Sequence, residues 1–130
     1  MKMPKGRTSY WETKRLFSPT SRDIELFIDA PGPEQAPDEL QRQFFMAVEH
    51  DYNKILSTVE AVLRPQFERW TRKPLSAPIW REFILTSFSI PHASLEEAEW
   101  DMSIDSKTDA NHLFTVTLRG EVATGVSIDG

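Results

Sequence analysis

A chain of 130 residues, 39% hydrophobic and 11% aromatic, holds enough apolar material for one packed core, which excludes wholesale disorder. Zero cysteines remove a disulfide framework, a thiolate zinc site and a cysteine nucleophile. A net charge of -5 argues against a nucleic-acid binder, and no apolar run approaches the roughly 20 residues of a membrane helix.

Charge alternates along the chain: residues 1–22 carry +5, residues 23–63 carry -7, residues 64–82 carry +3 and residues 83–130 carry -6. Folding can bring these segments together and leave a modest outer field. The opening MKMPKGRTSY is charged and has no apolar h-region, so the expectation is one cytoplasmic domain over residues 1–130.

Tyr10 to Phe17 reads as a loosely alternating strand, and Ser18-Pro19-Thr20-Ser21 as a turn. From Asp23 to Asp29 the alternation is clean, with Ile24, Leu26 and Ile28 on one side and Asp23, Glu25 and Asp29 on the other. That pattern marks a half-buried strand, and the two strands make a hairpin. PGPEQAP at residues 31–37 interrupts regular structure. Asp38, with Gln41 three residues on, fits an N-cap and its capping-box partner.

Leu40, Phe44, Ala47, Val48, Ile55, Val59, Val62 and Leu63 then recur at helical spacing, so one amphipathic helix is predicted over residues 38–64. Pro65 should end or kink it, with Phe67 and Trp70 capping the core just beyond, and TRKPLSAP at residues 71–78 forms a connector. Residues 79–90 read as an inner strand, with Ile84, Thr86, Phe88 and Ile90 on one face and Phe83 and Leu85 on the other. Residues 98–104 turn Ala98, Trp100, Met102 and Ile104 inward, and residues 112–119 do so with Phe114, Val116 and Leu118. Gly120 and Gly125 bracket a turn or bulge before a short closing strand with Val126 and Ile128.

The expected class is α+β with two layers and the order β-β-α-β-β-β, one long helix lying on an antiparallel sheet. A helix over residues 38–64 would measure about 40 Å at ~1.5 Å per residue. Strands of this length reach only about 25 Å at ~3.3 Å per residue. One helix end must overhang, bend at Pro65, or meet a second subunit.

Chemistry is sparse in this pattern. His50, His92 and His112 lie on separate elements and form no HxH, HxxxH or HExxH spacing. Glu96, Glu97, Glu99, Asp101, Asp105 and Asp109 are opposed only by Lys107. Glu99 and Asp101 share a strand face and could pair across a cleft, but a strand that keeps its polar side in water alternates in the same way. The loop from Asp105 to Asn111 offers oxygens at Asp105, Asp109 and Asn111 without the register of a calcium loop. Nucleophile elbows and glycine-rich phosphate loops are missing. The basic stretch RPQFERWTRK at residues 64–73 contains Glu68 and fits a helix end better than a base-stacking platform. No catalytic residue, cofactor or metal ligand is therefore nominated.

The hairpin, the long helix, and the strands with Trp100-x-Met102-x-Ile104, Phe114-x-Val116 and a closing Val126-x-Ile128-Asp129-Gly130 resemble small uncharacterised bacterial proteins, some of them immunity-type proteins near polymorphic toxin systems. The resemblance implies a one-helix antiparallel-sheet fold and carries over no catalytic residue. The expected function is a non-enzymatic protein-binding module with an acidic contact patch of Glu99, Asp101, Asp105 and Asp109. One alternative is a small hydrolase with a Glu/Asp–His site assembled by folding. The other is a homo-oligomeric scaffold, a homodimer for instance, whose contact is the helix overhang or the uncovered sheet face, with Trp11, Phe17, Phe27, Phe83 and Leu85 on or near that face. The expected partner is a protein, with no nucleic acid and no membrane.

Overall fold

The computed structural model describes residues 10–29, 38–72, 74, 78–107 and 112–129. The connector at residues 31–37 lies outside them, as does Asp109. Six strands form one sheet in chain order: β1 (Tyr10–Phe17), β2 (Arg22–Asp29), β3 (Phe83–Ile90), β4 (Glu99–Ser106), β5 (Leu113–Arg119) and β6 (Val122–Asp129). Helices α1 (Glu39–His50) and α2 (Tyr52–Thr71) and the single turn α3 (Ile79–Glu82) stand between β2 and β3, and a 3-10 turn covers Leu95–Glu97. The fold is α+β.

The expected order β-β-α-β-β-β needs three corrections. Four strands follow the helices, because the segment with Val126 and Ile128 forms a full strand, β6, paired along β5. The sheet is mixed, because β2 pairs with β3 in parallel. A helical connection between strands carries the chain back along the sheet, so the next strand can run in the same direction as the last. Residues 79–82 are helical, the Arg81 N–H donating to the Pro78 carbonyl at 3.0 Å. Proline's fixed φ suits the start of such a turn.

The predicted long helix is two helices. Asp38 and Gln41 form the capping box: the Gln41 N–H donates to Asp38 Oδ1 at 3.1 Å, and the Asp38 N–H donates to Gln41 Oε1 at 3.2 Å. The break falls at Asp51 (φ -101°, ψ 16°), which closes α1 and precedes α2. This corner reduces the length mismatch: at ~1.5 Å per residue the 12 residues of α1 span about 18 Å and the 20 of α2 about 30 Å, so only the last turn of α2 overhangs. Pro65, in contrast, lies inside α2. Pro65 and Ala61 are both exposed, so the Ala61 carbonyl that loses its intrahelical donor faces water. Four residues and one turn apart, Leu63 and Phe67 pack inward and hold the helix on course.

The corner is fastened at two places. Glu49 Oε2 accepts from the Ser18 hydroxyl at 3.1 Å and the Ser18 N–H at 3.3 Å, and Lys54 Nζ meets Glu121 Oε1 at 3.0 Å. Ser18 lies in the β1–β2 turn and Glu121 in the β5–β6 turn, at opposite ends of the strands and opposite edges of the sheet. The helix junction thus bridges two turns that are distant along the sheet. The edge of β6 is also covered, since the Ala123 N–H donates to Thr58 Oγ1 of α2 at 3.0 Å.

The core lies between the helices and one sheet face. Phe88 is at its centre, edge-on to Phe17 and Trp100 at 5.7 Å each and stacked with Phe45 at 6.0 Å. A second cluster joins Phe67 to Phe83 at 4.9 Å and Phe83 to Phe114 at 5.3 Å. Trp70 lies outside it, half-exposed against the His112 ring.

Strand β3 departs from the sequence reading in one instructive way. Leu85 pairs with Ile104 and Ser87 with Ser103, so Thr86 is an extra residue, a bulge. The bulge reverses the alternation, and Phe83, Leu85, Phe88 and Ile90 are all buried. The proposed apolar patch on the second face is therefore absent as such. Phe17, Phe83 and Leu85 belong to the core, Phe27 is half-buried on the far face, and the Trp11 side chain is outside the described ones.

Candidate functional site: the open face of the sheet

Among the described residues, no helix or strand packs on the sheet face turned away from α1 and α2. Cross-strand pairing defines its rows. Phe27 stands beside Ser89, Asp101 is paired with Thr117 and Thr117 with Gly125; in the next row Glu25, Ser87, Ser103, Thr115 and Ser127 follow one another. Short hydroxyls line the centre. Carboxylates from β2 (Asp23, Glu25, Asp29), β4 (Glu99, Asp101, Asp105) and β6 (Asp129) surround them, with Lys14 and Arg119 as the opposing cations. Parallel pairing of β2 and β3 is what places the acids of the first hairpin beside those of β4.

Three of the four sequence-predicted contact residues, Glu99, Asp101 and Asp105, share this face and are exposed; Asp109 lies outside the described residues. A recess of about 470 Å³ is centred on β4 and β5, lined by Glu99, Asp101, Ser89, Thr117, Arg119 and Thr124. The Ser89 hydroxyl accepts from the Asp101 N–H at 3.0 Å and so ties its floor together. Ser89, Thr117, Arg119 and Thr124 went unnoticed in the sequence, because their proximity depends on register between strands rather than on spacing within one.

Asp29 reveals the electrostatic character of the face. Partial burial, followed by the charge of Asp101, holds its carboxyl above the ordinary value of 3.8. Its ionised form is thus less favourable in the folded chain than in the unfolded one. Stability from this group is lost as pH rises from the ordinary carboxylate range through the raised folded value, and the deficit persists at neutral pH. Asp29→Asn is expected to raise Tm at pH 7, with the gain shrinking towards zero below the ordinary value of 3.8. Thermal melts of both proteins between pH 3 and 8 check this, and a lower Tm for the variant at pH 7 would refute it.

Histidine and carboxylate do meet in two places. His92 Nε2 contacts Asp38 Oδ2, and His50 Nδ1 lies 2.8 Å from Asp51 Oδ1. Asp38 is also the cap of α1, and hydrogen bonds from the Gln41 N–H and then from His92 hold its carboxyl below the ordinary range. Neither imidazole hydrogen-bonds a serine or threonine hydroxyl among the described residues, and neither pair lines the recess. Among the described residues no three histidine or carboxylate side chains gather as a metal site, and no helix is long and apolar enough to cross a membrane.

In comparison with known proteins, no family model, curated protein or solved structure matches the chain.

Proposed function

We propose that the protein is a non-enzymatic binding module of the immunity or antitoxin type, which docks a cationic protein surface on the open face of its sheet. The recess flanked by Glu99 and Asp101 carries this reading. Two carboxylates two residues apart on one strand project in parallel, and they sit over a floor of hydroxyls that accept and donate. A lysine or arginine side chain entering from a partner finds both charge and hydrogen-bond partners there. The charge of Asp101, second to burial in raising the Asp29 carboxyl, supports the same reading, because neighbouring carboxylates on one face attract a cationic partner.

The test uses an arginine-rich peptide as the cationic probe. The triple variant Glu99→Gln, Asp101→Asn, Asp105→Asn is expected to bind it roughly tenfold more weakly at low salt, with a flatter salt dependence, since rim charges chiefly set encounter rate and screening. Equal affinity and equal salt dependence for the two proteins would overturn the reading.

A further inference from the structure

A cavity larger than the recess on the open face lies on the other side of the sheet. Parallel pairing of β2 with β3 is confined to Glu25–Ile28 against Ser87–Ile90. Towards Arg22 and Phe83 the two strands have no such pairing, and α2 turns away from α1 at Asp51. The resulting cleft of about 550 Å³ is bounded by the β1–β2 turn, the first half of α2 and the start of β3. Its size falls within the range of roughly 300–1,000 Å³ usual for small-molecule sites.

Its floor is apolar, formed by Val59, Leu85, Met102 and Ile104, which are otherwise buried core residues. Two cations, Arg22 of β2 and Lys107 beyond β4, stand at its rim. Lys107 is set in place by its backbone, whose N–H donates to the Glu82 carbonyl at 2.7 Å. Neither cation makes an ion pair with a described residue. The one lining carboxylate, Glu60, is engaged by Arg64 at 2.8 Å, so the mouth presents net positive charge. Tyr52 also lines the cleft, with its ring edge-on to Phe17 at 5.0 Å and its hydroxyl bonded to no described residue. Burial pushes its phenol up to about 12, so at neutral pH the hydroxyl remains a donor.

We propose that this cleft binds a small amphipathic carboxylate, its apolar body on Val59, Leu85, Met102 and Ile104 and its carboxylate between Arg22 and Lys107, with the Tyr52 hydroxyl as a further donor. An apolar floor with a cationic, donor-bearing rim selects against neutral and cationic molecules of the same shape. Each of these would leave the cations unanswered or repelled. The site is independent of the open sheet face, which lies across the sheet from it.

Decanoate is the probe, with decanol and decylammonium as neutral and cationic counterparts, titrated below their aggregation limits by calorimetry and by thermal shift. Decanoate is expected to bind with one-to-one stoichiometry and to raise Tm, while the counterparts bind at least tenfold more weakly, a difference typical of a charge-assisted contact. Arg22→Ala and Lys107→Ala are each expected to lower decanoate affinity roughly tenfold on the same grounds. Both residues are exposed, so the variants should keep the parent's Tm without ligand. Ser57→Trp, at an exposed helical position on the rim, should block binding while circular dichroism stays unchanged. Absence of saturable decanoate binding, equal affinity for decanol, or undiminished binding in Ser57→Trp would each overturn the proposal. None of these outcomes bears on peptide binding at the open face.

Discussion

Deletion of Thr86 is expected to leave a cooperatively folded protein of near-parent stability, although it shortens a core strand. Thr86 is the bulged residue of β3: Leu85 pairs with Ile104 and Ser87 with Ser103, and Thr86 has no partner on β4. Its presence puts two residues between Leu85 and Phe88, and the bulge is what lets Phe83, Leu85, Phe88 and Ile90 face the core together. Without Thr86 these four side chains fall at strict period two, so they keep their facing and the pairs Leu85–Ile104 and Ser87–Ser103 persist. The main loss is the hydrogen bond from the Thr86 hydroxyl to the Ser103 carbonyl at 3.0 Å, worth about 1 kcal/mol, which Thr86→Ala removes by itself. Circular dichroism and denaturant unfolding of both variants decide the matter. A deletion variant without cooperative unfolding would show that the bulge does more than reconcile the facing of β3.

Phe88→Ala has the largest expected effect, a loss of about 3–5 kcal/mol. The side chain is 1% exposed and touches aromatic rings from β1, α1 and β4, so three elements lose their common neighbour. Little in the vicinity can collapse into the space, because Phe17, Phe45 and Trp100 are each fixed by other contacts. Trp100 donates its Nε1–H to the Gly120 carbonyl at 2.8 Å, and Gly120 holds a left-handed φ of +59° under the Glu96 backbone. Phe88→Leu, which keeps most of the volume, should lose less than half as much. Urea unfolding gives both values, and a loss below about 1 kcal/mol for Phe88→Ala would place the centre of the core elsewhere.

Local chemistry was the legible part of the sequence. The capping box at Asp38 and Gln41, the inward rows of β2, β4 and β5, and the buried stripe Phe44, Val48, Ile55, Val59 and Leu63 all depend on neighbours within one element. What escaped depends on partners distant in the chain. The corner at Asp51 follows from fastening to Ser18 and Glu121, and nothing in the unbroken stripe announces it. Pro65 looks like a terminator in isolation, but on an exposed face it leaves only a solvated carbonyl, and the packing of Phe67 carries the helix through. The parallel pairing of β2 with β3 is a property of the crossover, invisible to alternation. The candidate site divides in the same way. Glu99, Asp101 and Asp105 could be placed on one face from period two alone, whereas Asp29, Ser89 and Thr117 join them only through sheet order.

The reading of the open face as a docking surface is tested most directly by locating where a cationic ligand lands. Backbone amide shifts recorded by NMR during titration with the arginine-rich peptide supply that map. The expected result is a saturable response at Ser89, Asp101, Ser103 and Thr117, with the amides of α1 and α2 unmoved. A response confined to the helices or to the β1–β2 turn would contradict it.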